Sequence, residues 1–200
     1  MVLRRSNTNE MMSFMNKLLL RSNSSSSFTA KKYLHSSLIR FVAQIIDGKE
    51  MARKIIAETK QEVHEWIDGG HKRPALALVK VGIPESEGKY TKSVLRACKD
   101  IGIEVKKFEL PKDIREVELL ADIRKLNDDL AVDAIMLEFP LPQHITERIM
   151  CNAVAPHKDV NGFNIVNVGR LTQQMTTIVP CMAAAIKEII VRIGEHRKFS

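Results

Sequence analysis

Apolar positions recur every three or four residues through Met51, Ile55, Ile56, Thr59, Val63, Trp66 and Ile67, the spacing of one face of an amphipathic helix. The run is punctuated at both ends. Asp47 precedes it with Glu50 three residues on, a capping box with Asp in the Ser/Thr place, and Gly69-Gly70 close it. The period then changes. ALALVKV (75–81) is short, apolar and bounded by Pro74 and Gly82, which predicts a buried strand. Helical spacing returns over 86–101, with Tyr90, Val94, Ala97, Cys98 and Ile101 on one side and Gly102 past the end. A strand is predicted at 103–110. Asp113 with Glu116 then signals a helix through Val117, Leu120, Ile123 and Leu126. DAIMLEF (133–139) is a third strand, stopped by Pro140, Leu141 and Pro142. A short helix is predicted over 146–154, and a last one after Pro180 with Ile186, Ile189, Ile190 and Ile193 inside, ending soon after Gly194.

Strands starting about every 30 residues with helices between them are βαβ units. The predicted fold is a three-layer α/β domain with a small parallel sheet, preceded by a disordered basic tail. A further edge strand is expected at 165–168 or 41–45. Ligands of open parallel sheets sit outside the carboxyl ends of the strands. That topology gathers Tyr90, Glu138, the 140–142 loop and the 159–162 loop.

Charge narrows the function classes. The formal net charge is +7, from 31 basic and 24 acidic residues. Seven basic residues and one acid lie within 1–40, so the remainder carries 24 against 23. The excess belongs to the tail, which argues against a nucleic-acid-binding domain, because that footprint should lie on the folded part. The tail is Arg- and Ser-rich and acid-poor, with an amphipathic stretch MMSFMNKLLLR and a spacer SNSSSS. That composition fits a mitochondrial transit peptide over 1–40, with a plain disordered extension as the alternative; the folded domain is assigned to 41–200. No apolar run approaches the roughly 18 residues of a membrane span. Cys98, Cys151 and Cys181 are widely spaced and the six histidines scattered, so buried free thiols and no metal site are expected.

Six segments carry a resemblance. IIDGKEMARKI, PALALVKVG and ESEGKYTKSVLRACKDIGI, then VDAIMLEFPLPQHI, KDVNGFNIVNVGRL and VPC, stand in order between 45 and 194. Together they resemble the methylenetetrahydrofolate dehydrogenase/methenyltetrahydrofolate cyclohydrolase family, of the mitochondrial bifunctional type. The resemblance implies oxidation of 5,10-methylene-tetrahydrofolate with NAD or NADP, then opening of the methenyl cation by water to 10-formyl-tetrahydrofolate. It implies that Tyr90 stacks on the folate, that Pro140, Leu141 and Pro142 wall the pocket, and that Asp159, Asn161 and Gly162 form the folate-site loop. Tetrahydrofolate derivatives are the implied ligands, with a homodimer or a heterodimer with a full-length relative as further partners, in the mitochondrial matrix.

The sequence departs from the family pattern at the chemistry. Val94 stands in the place of the family's lysine, one turn after Tyr90, and offers no titratable group. Lys89 and Lys92 lie about 140° to 160° around the helix from it. Glu138 replaces a glutamine and could itself serve as a base. Asn161 replaces an aspartate, and Met182-Ala183 a Thr-Pro pair. The sequence carries no Gly-rich turn of dinucleotide type, so no nicotinamide cofactor is expected on this chain. Three readings follow: an enzyme with impaired activity, a non-catalytic folate-binding or dimer-partner pseudoenzyme, and an incomplete fragment.

Overall fold

The structure, a computed structural model, describes residues 45–82 and 89–196. The expectations for 1–40, for a strand at 41–44 and for the first turn at 86–88 lie outside the described residues.

Helix α1 (Gly48–Asp68) begins as the capping signal requires, with the Asp47 side chain accepting from the backbone N–H groups of Lys49 and Glu50. It ends at Gly69, after which Gly70 takes a positive φ of 83°. Strand β1 (Ala75–Val81) follows, then α2 (Lys89–Ile101), β2 (Glu104–Leu110), α3 (Glu116–Asp128) and β3 (Ala134–Leu137). All pairing is parallel, in the order β2-β1-β3. The central strand is therefore the first in sequence, and the chain reverses its direction of travel across the sheet between β1 and β3.

Alternation along the strands splits the core. Ala77, Val79, Ile135 and Leu137 meet Leu119, Ile123 and Leu126 of α3 on one face. Leu76, Leu78, Ala134 and Met136 meet Val94, Leu95 and Cys98 of α2 on the other. Burial on both faces explains why β1 reads as a continuous apolar run rather than an alternating one.

Four expectations are corrected. The α3 cap is Arg115, whose N–H donates to Glu118 Oε2 at 3.2 Å; Glu116 instead accepts from the Thr146 N–H at 2.7 Å, at the start of α4 (Glu147–Ala153). The expected edge strand at 165–168 is the opening of helix α5 (Ile165–Thr172), because Asn164 caps it by accepting from the Val166 N–H at 2.8 Å. That cap outweighs the β-branched composition. In helix α6 (Cys181–His196) Ile186 and Ile190 are exposed, while Ile189 and Ile193 are half-buried. The helix lies on the rim, tied to α1 where the Arg192 guanidinium spans both carboxylate oxygens of Glu58 at 3.1 and 2.7 Å. Of the three free thiols Cys98 is buried, Cys151 partly so, and Cys181 exposed.

Ile123 is fully buried between α3 and the sheet. Ile123→Ala is expected to cost about 2–5 kcal/mol, read as a lower denaturant midpoint with an unchanged m-value.

Candidate active site

Tyr90 stands in the first turn of α2 with its ring largely exposed, and its Oη lies 3.6 Å from Sγ of Cys181 at the start of α6. Val94, one turn further on, is half-buried. Both line a cavity of about 240 Å³ between α2 and the sheet, with Leu76, Ala134, Met136 and Val160 among its walls. The lining is almost all carbon, and the one carboxylate, Asp133, is engaged by Lys72 at 2.9 Å and the Ala75 N–H at 2.9 Å. An apolar slot with an aromatic face suits a flat heterocycle.

Partial burial, with a smaller contribution from the contact to Cys181, pushes the Tyr90 phenol up to about 12. The ring is more than half exposed, so solvent screens the effect and no stability is assigned to it. The phenol is therefore a neutral hydrogen-bonding group throughout the neutral range and not a base.

Glu138 lies one residue past β3 and continues the ladder, its N–H donating to the Val79 carbonyl at 2.9 Å. Its Oε1 accepts from the buried hydroxyl of Thr91 at 2.7 Å, next to Tyr90 in the chain. Its Oε2 is buried with no hydrogen-bond partner.

Neither Glu138 nor any of Pro140, Leu141 and Pro142 lines the cavity, and Leu141 packs into the core on the α3 face of the sheet. After the cis Phe139–Pro140 bond, Pro140 is exposed, Leu141 is buried and Pro142 is intermediate; the Leu141 N–H donates to Glu147 Oε1 at 3.1 Å. Phe139 meets Phe163 edge to face, ring centroids 6.0 Å apart, which sets this loop beside the 159–162 segment.

In that segment the polar side chains serve the loop itself. Asp159 is buried and accepts from the N–H groups of Asn161 and Gly162 at 3.1 Å each, of Asn164 at 2.8 Å, and from Asn167 Nδ2 at 3.2 Å. Asn161 presents its amide to the free edge of β3: Oδ1 accepts from the Leu137 N–H at 3.2 Å while Nδ2 faces the Leu137 carbonyl at 3.4 Å. Gly162 has φ of 71°, and a Cβ there would stand 2.8 Å from the Pro180 nitrogen, so the close approach of 178–180 requires glycine.

Tyr90 and Val94 thus share one cavity, and Glu138 is joined to the same helix turn through Thr91. From the 159–162 loop Val160, which the sequence reading left out, lines the cavity. Thr91, which holds Glu138, was also missed. Among the described residues there is no cluster of three His, Cys, Asp or Glu side chains able to hold a metal ion, and no helix long and apolar enough to cross a membrane.

The family pattern of the tetrahydrofolate dehydrogenase/cyclohydrolase catalytic domain matches residues 46–161. The chain belongs to that family. It is 41% identical over 166 residues to the mitochondrial bifunctional methylenetetrahydrofolate dehydrogenase/cyclohydrolase 2 of Callithrix jacchus, covering 83% of this chain and 48% of that protein. It is 42% identical over 161 residues to the mitochondrial bifunctional enzyme of Gallus gallus, covering 80% and 48%. Among solved structures, the 5,10-methylenetetrahydrofolate dehydrogenase of Bombyx mori superposes with a TM-score of 0.74 at 38% identity, covering 76% of this chain and 53% of that one. The chain spans about half the length of the curated relatives it matches.

Two measurements check this geometry. Asp159→Ala removes one acceptor for three backbone N–H groups and an amide; unfolding free energy is expected to fall by at least about 3 kcal/mol, at 1–3 kcal/mol for each buried group left unpaired. A raised phenol pKa favours the native state below the ordinary value and is lost as pH climbs through the shifted one. Tyrosinate absorbance should therefore show the Tyr90 step, identified by its absence in Tyr90→Phe, near pH 12; a step near 10 contradicts the assignment.

Proposed function

We propose that this chain is the folate-binding half of a methylenetetrahydrofolate dehydrogenase/methenyltetrahydrofolate cyclohydrolase-type protein of the mitochondrial matrix, with impaired turnover. The observation that carries the reading is the Tyr90 face on the wall of an apolar cavity, one residue from the Thr91–Glu138 pair. Tyr90 receives the pterin. Asp159, Asn161 and Gly162 hold the loop that supplies Val160 to the cavity. The mitochondrial names of the curated relatives and the basic, Ser-rich composition of 1–40 support import.

The reaction assigned to the site is ring opening. Water's oxygen bonds to the methenyl carbon and one of its protons passes to the Glu138 carboxylate. The carbon–N5 bond then breaks as N5 takes a proton and the hydroxyl loses one, leaving 10-formyl-tetrahydrofolate and one proton released to solvent. Val94 supplies no proton at the second step, which is the ground for impairment.

A nicotinamide would accept hydride in the dehydrogenase reaction, and the T. brucei relative was solved with NADP. The connections after β2 (111–115) and β3 (138–146) contain no glycine, and no step is routed through the cofactor. A second reading, a non-catalytic partner that pairs with itself or a full-length relative, is favoured by the exposed row Met182, Ile186 and Ile190 on α6; it predicts oligomers without turnover.

The test is hydrolysis of 5,10-methenyl-tetrahydrofolate by the full chain beside a heat-denatured control. Wild type is expected to exceed the control, Tyr90→Ala to lose at least about tenfold in kcat/KM, and Val94→Lys to gain about tenfold, modest against the usual 10²–10⁴ of an acid–base group. Silence of a folded wild type together with a folded Val94→Lys rejects the folate reading.

A further inference from the structure

Helix α5 is packed inside out. Every one of its residues is exposed except Asn167. The Asn167 Nδ2 donates to the Pro156 carbonyl at 2.9 Å and to Asp159 at 3.2 Å, and its Oδ1 accepts from the Thr177 hydroxyl at 2.9 Å. The apolar side chains Ile165, Val166, Val168 and Leu171 face solvent, the reverse of an ordinary surface helix. Helix α6 carries a second such face. Met182, Ile186 and Ile190 form one row along it, with exposures of 72%, 56% and 64%.

The two helices start from one junction. Gly162, just before α5, lies against Pro180, just before α6, and the Thr177 hydroxyl ties the connecting segment to Asn167. The apolar faces thus adjoin at their amino ends, unlike the single apolar side chains that any surface carries. Charge indicates what covers them. From Phe163 to Lys187 the sequence holds no Asp or Glu, and its two charges are the exposed Arg170 and Lys187. Glu188, next in the chain, is held by Arg192 at 2.6 Å. A second copy would bring the same two cations and no carboxylate from this stretch to pair with them. The tail over 1–40, with seven basic residues against one acid, is no better a complement. The matching surface is apolar and anionic, which describes the interface of an acidic lipid bilayer.

We propose that the joint α5–α6 surface docks the chain on an anionic membrane, with its apolar side chains at the acyl boundary and Arg170 and Lys187 among the lipid phosphates. Among the described residues no helix is long and apolar enough to cross a bilayer, so the two helices lie on it. Asn167 makes this possible. Its buried amide anchors α5 in place of the usual apolar stripe and leaves the apolar side chains turned outward. The docked face borders the cavity, because Cys181 at the head of α6 lies 3.6 Å from the Tyr90 hydroxyl. The inference is independent of the folate reading.

The experiment measures co-flotation of the full chain with phosphatidylcholine vesicles, with and without phosphatidylserine, titrating lipid to obtain partition constants. Wild type is expected to partition at least about tenfold more strongly onto the phosphatidylserine vesicles. Val168→Asn/Ile186→Asn, one change on each helix, is expected to lose about tenfold there. Arg170→Gln/Lys187→Gln is expected to lose about 20-fold, roughly fivefold for each cation near an anionic surface. All four positions are exposed, so the unfolding midpoints should match wild type. The proposal is overturned if wild type does not float with the anionic vesicles. It is also overturned if either variant binds them as wild type does, which assigns the binding to the basic tail. A lipid-free dimer in sedimentation velocity that Val168→Asn/Ile186→Asn dissolves assigns the face to a second copy and overturns it as well.

Discussion

A parallel strand at the edge of a three-stranded sheet leaves one row of backbone groups unpaired, and most of the site follows from how this chain satisfies that row on β3. The Lys158 carbonyl accepts from the Ile135 N–H at 2.7 Å, the Val160 N–H reaches the Ile135 carbonyl at 3.4 Å, and the Asn161 amide meets both polar groups of Leu137. The segment that does this is irregular, so its own N–H groups need acceptors. The Asp159 carboxylate provides them. Lys158, also buried, donates to the carbonyls of Leu126 and Asp129 and fastens the same segment to the end of α3. Edge protection and site construction are therefore one operation: covering β3 puts Val160 on the cavity wall and Phe163 against Phe139.

Much of the architecture was legible from periodicity. The three strands and five of the six helices follow from apolar spacing and Gly or Pro punctuation, because tertiary burial here reinforces local preference. The failures have identifiable physics. The β-branched stretch at Ile165 carries an asparagine cap whose value appears once Asn164 is fixed by the Val154 carbonyl at 2.9 Å, ten residues away. Ile186 and Ile190 repeat at helical spacing, which reveals that a face is apolar and not whether anything covers it. At the site, the family resemblance singled out Tyr90, which the fold places on the cavity wall. The inward turn of Asp159 and Asn161 was not legible, because a side chain's choice between a ligand and a neighbouring backbone is settled in three dimensions.

The charges on the sheet form a pattern of their own. Lys107 and Glu109 on β2, Lys80 on β1 and Glu138 beyond β3 all belong to the α2 face near the carboxyl ends of the strands. Apolar residues fill the same face toward the amino ends. The sheet thus grades from an apolar end, which also walls the cavity, to a charged end where one oxygen of Glu138 is buried without a hydrogen-bond partner. Thr91 is the hinge between the two regimes, a buried hydroxyl that commits one oxygen of Glu138 and leaves the other open.

The Arg192 fork on Glu58 joins residues 134 apart in the chain, nearly the full span of the described fold. Contacts of such long range form late, after the loop they close has been ordered. Exposed ion pairs of this kind contribute little individually, and α6 has just one side half-covered. A helix covered on one side has few packed contacts to hold its amides against local opening. Cys181 travels with it, so each opening also frees the Tyr90 hydroxyl from its sulfur neighbour. The aromatic wall of the cavity thereby carries a reporter of the far terminus, readable by exchange rates without any ligand bound.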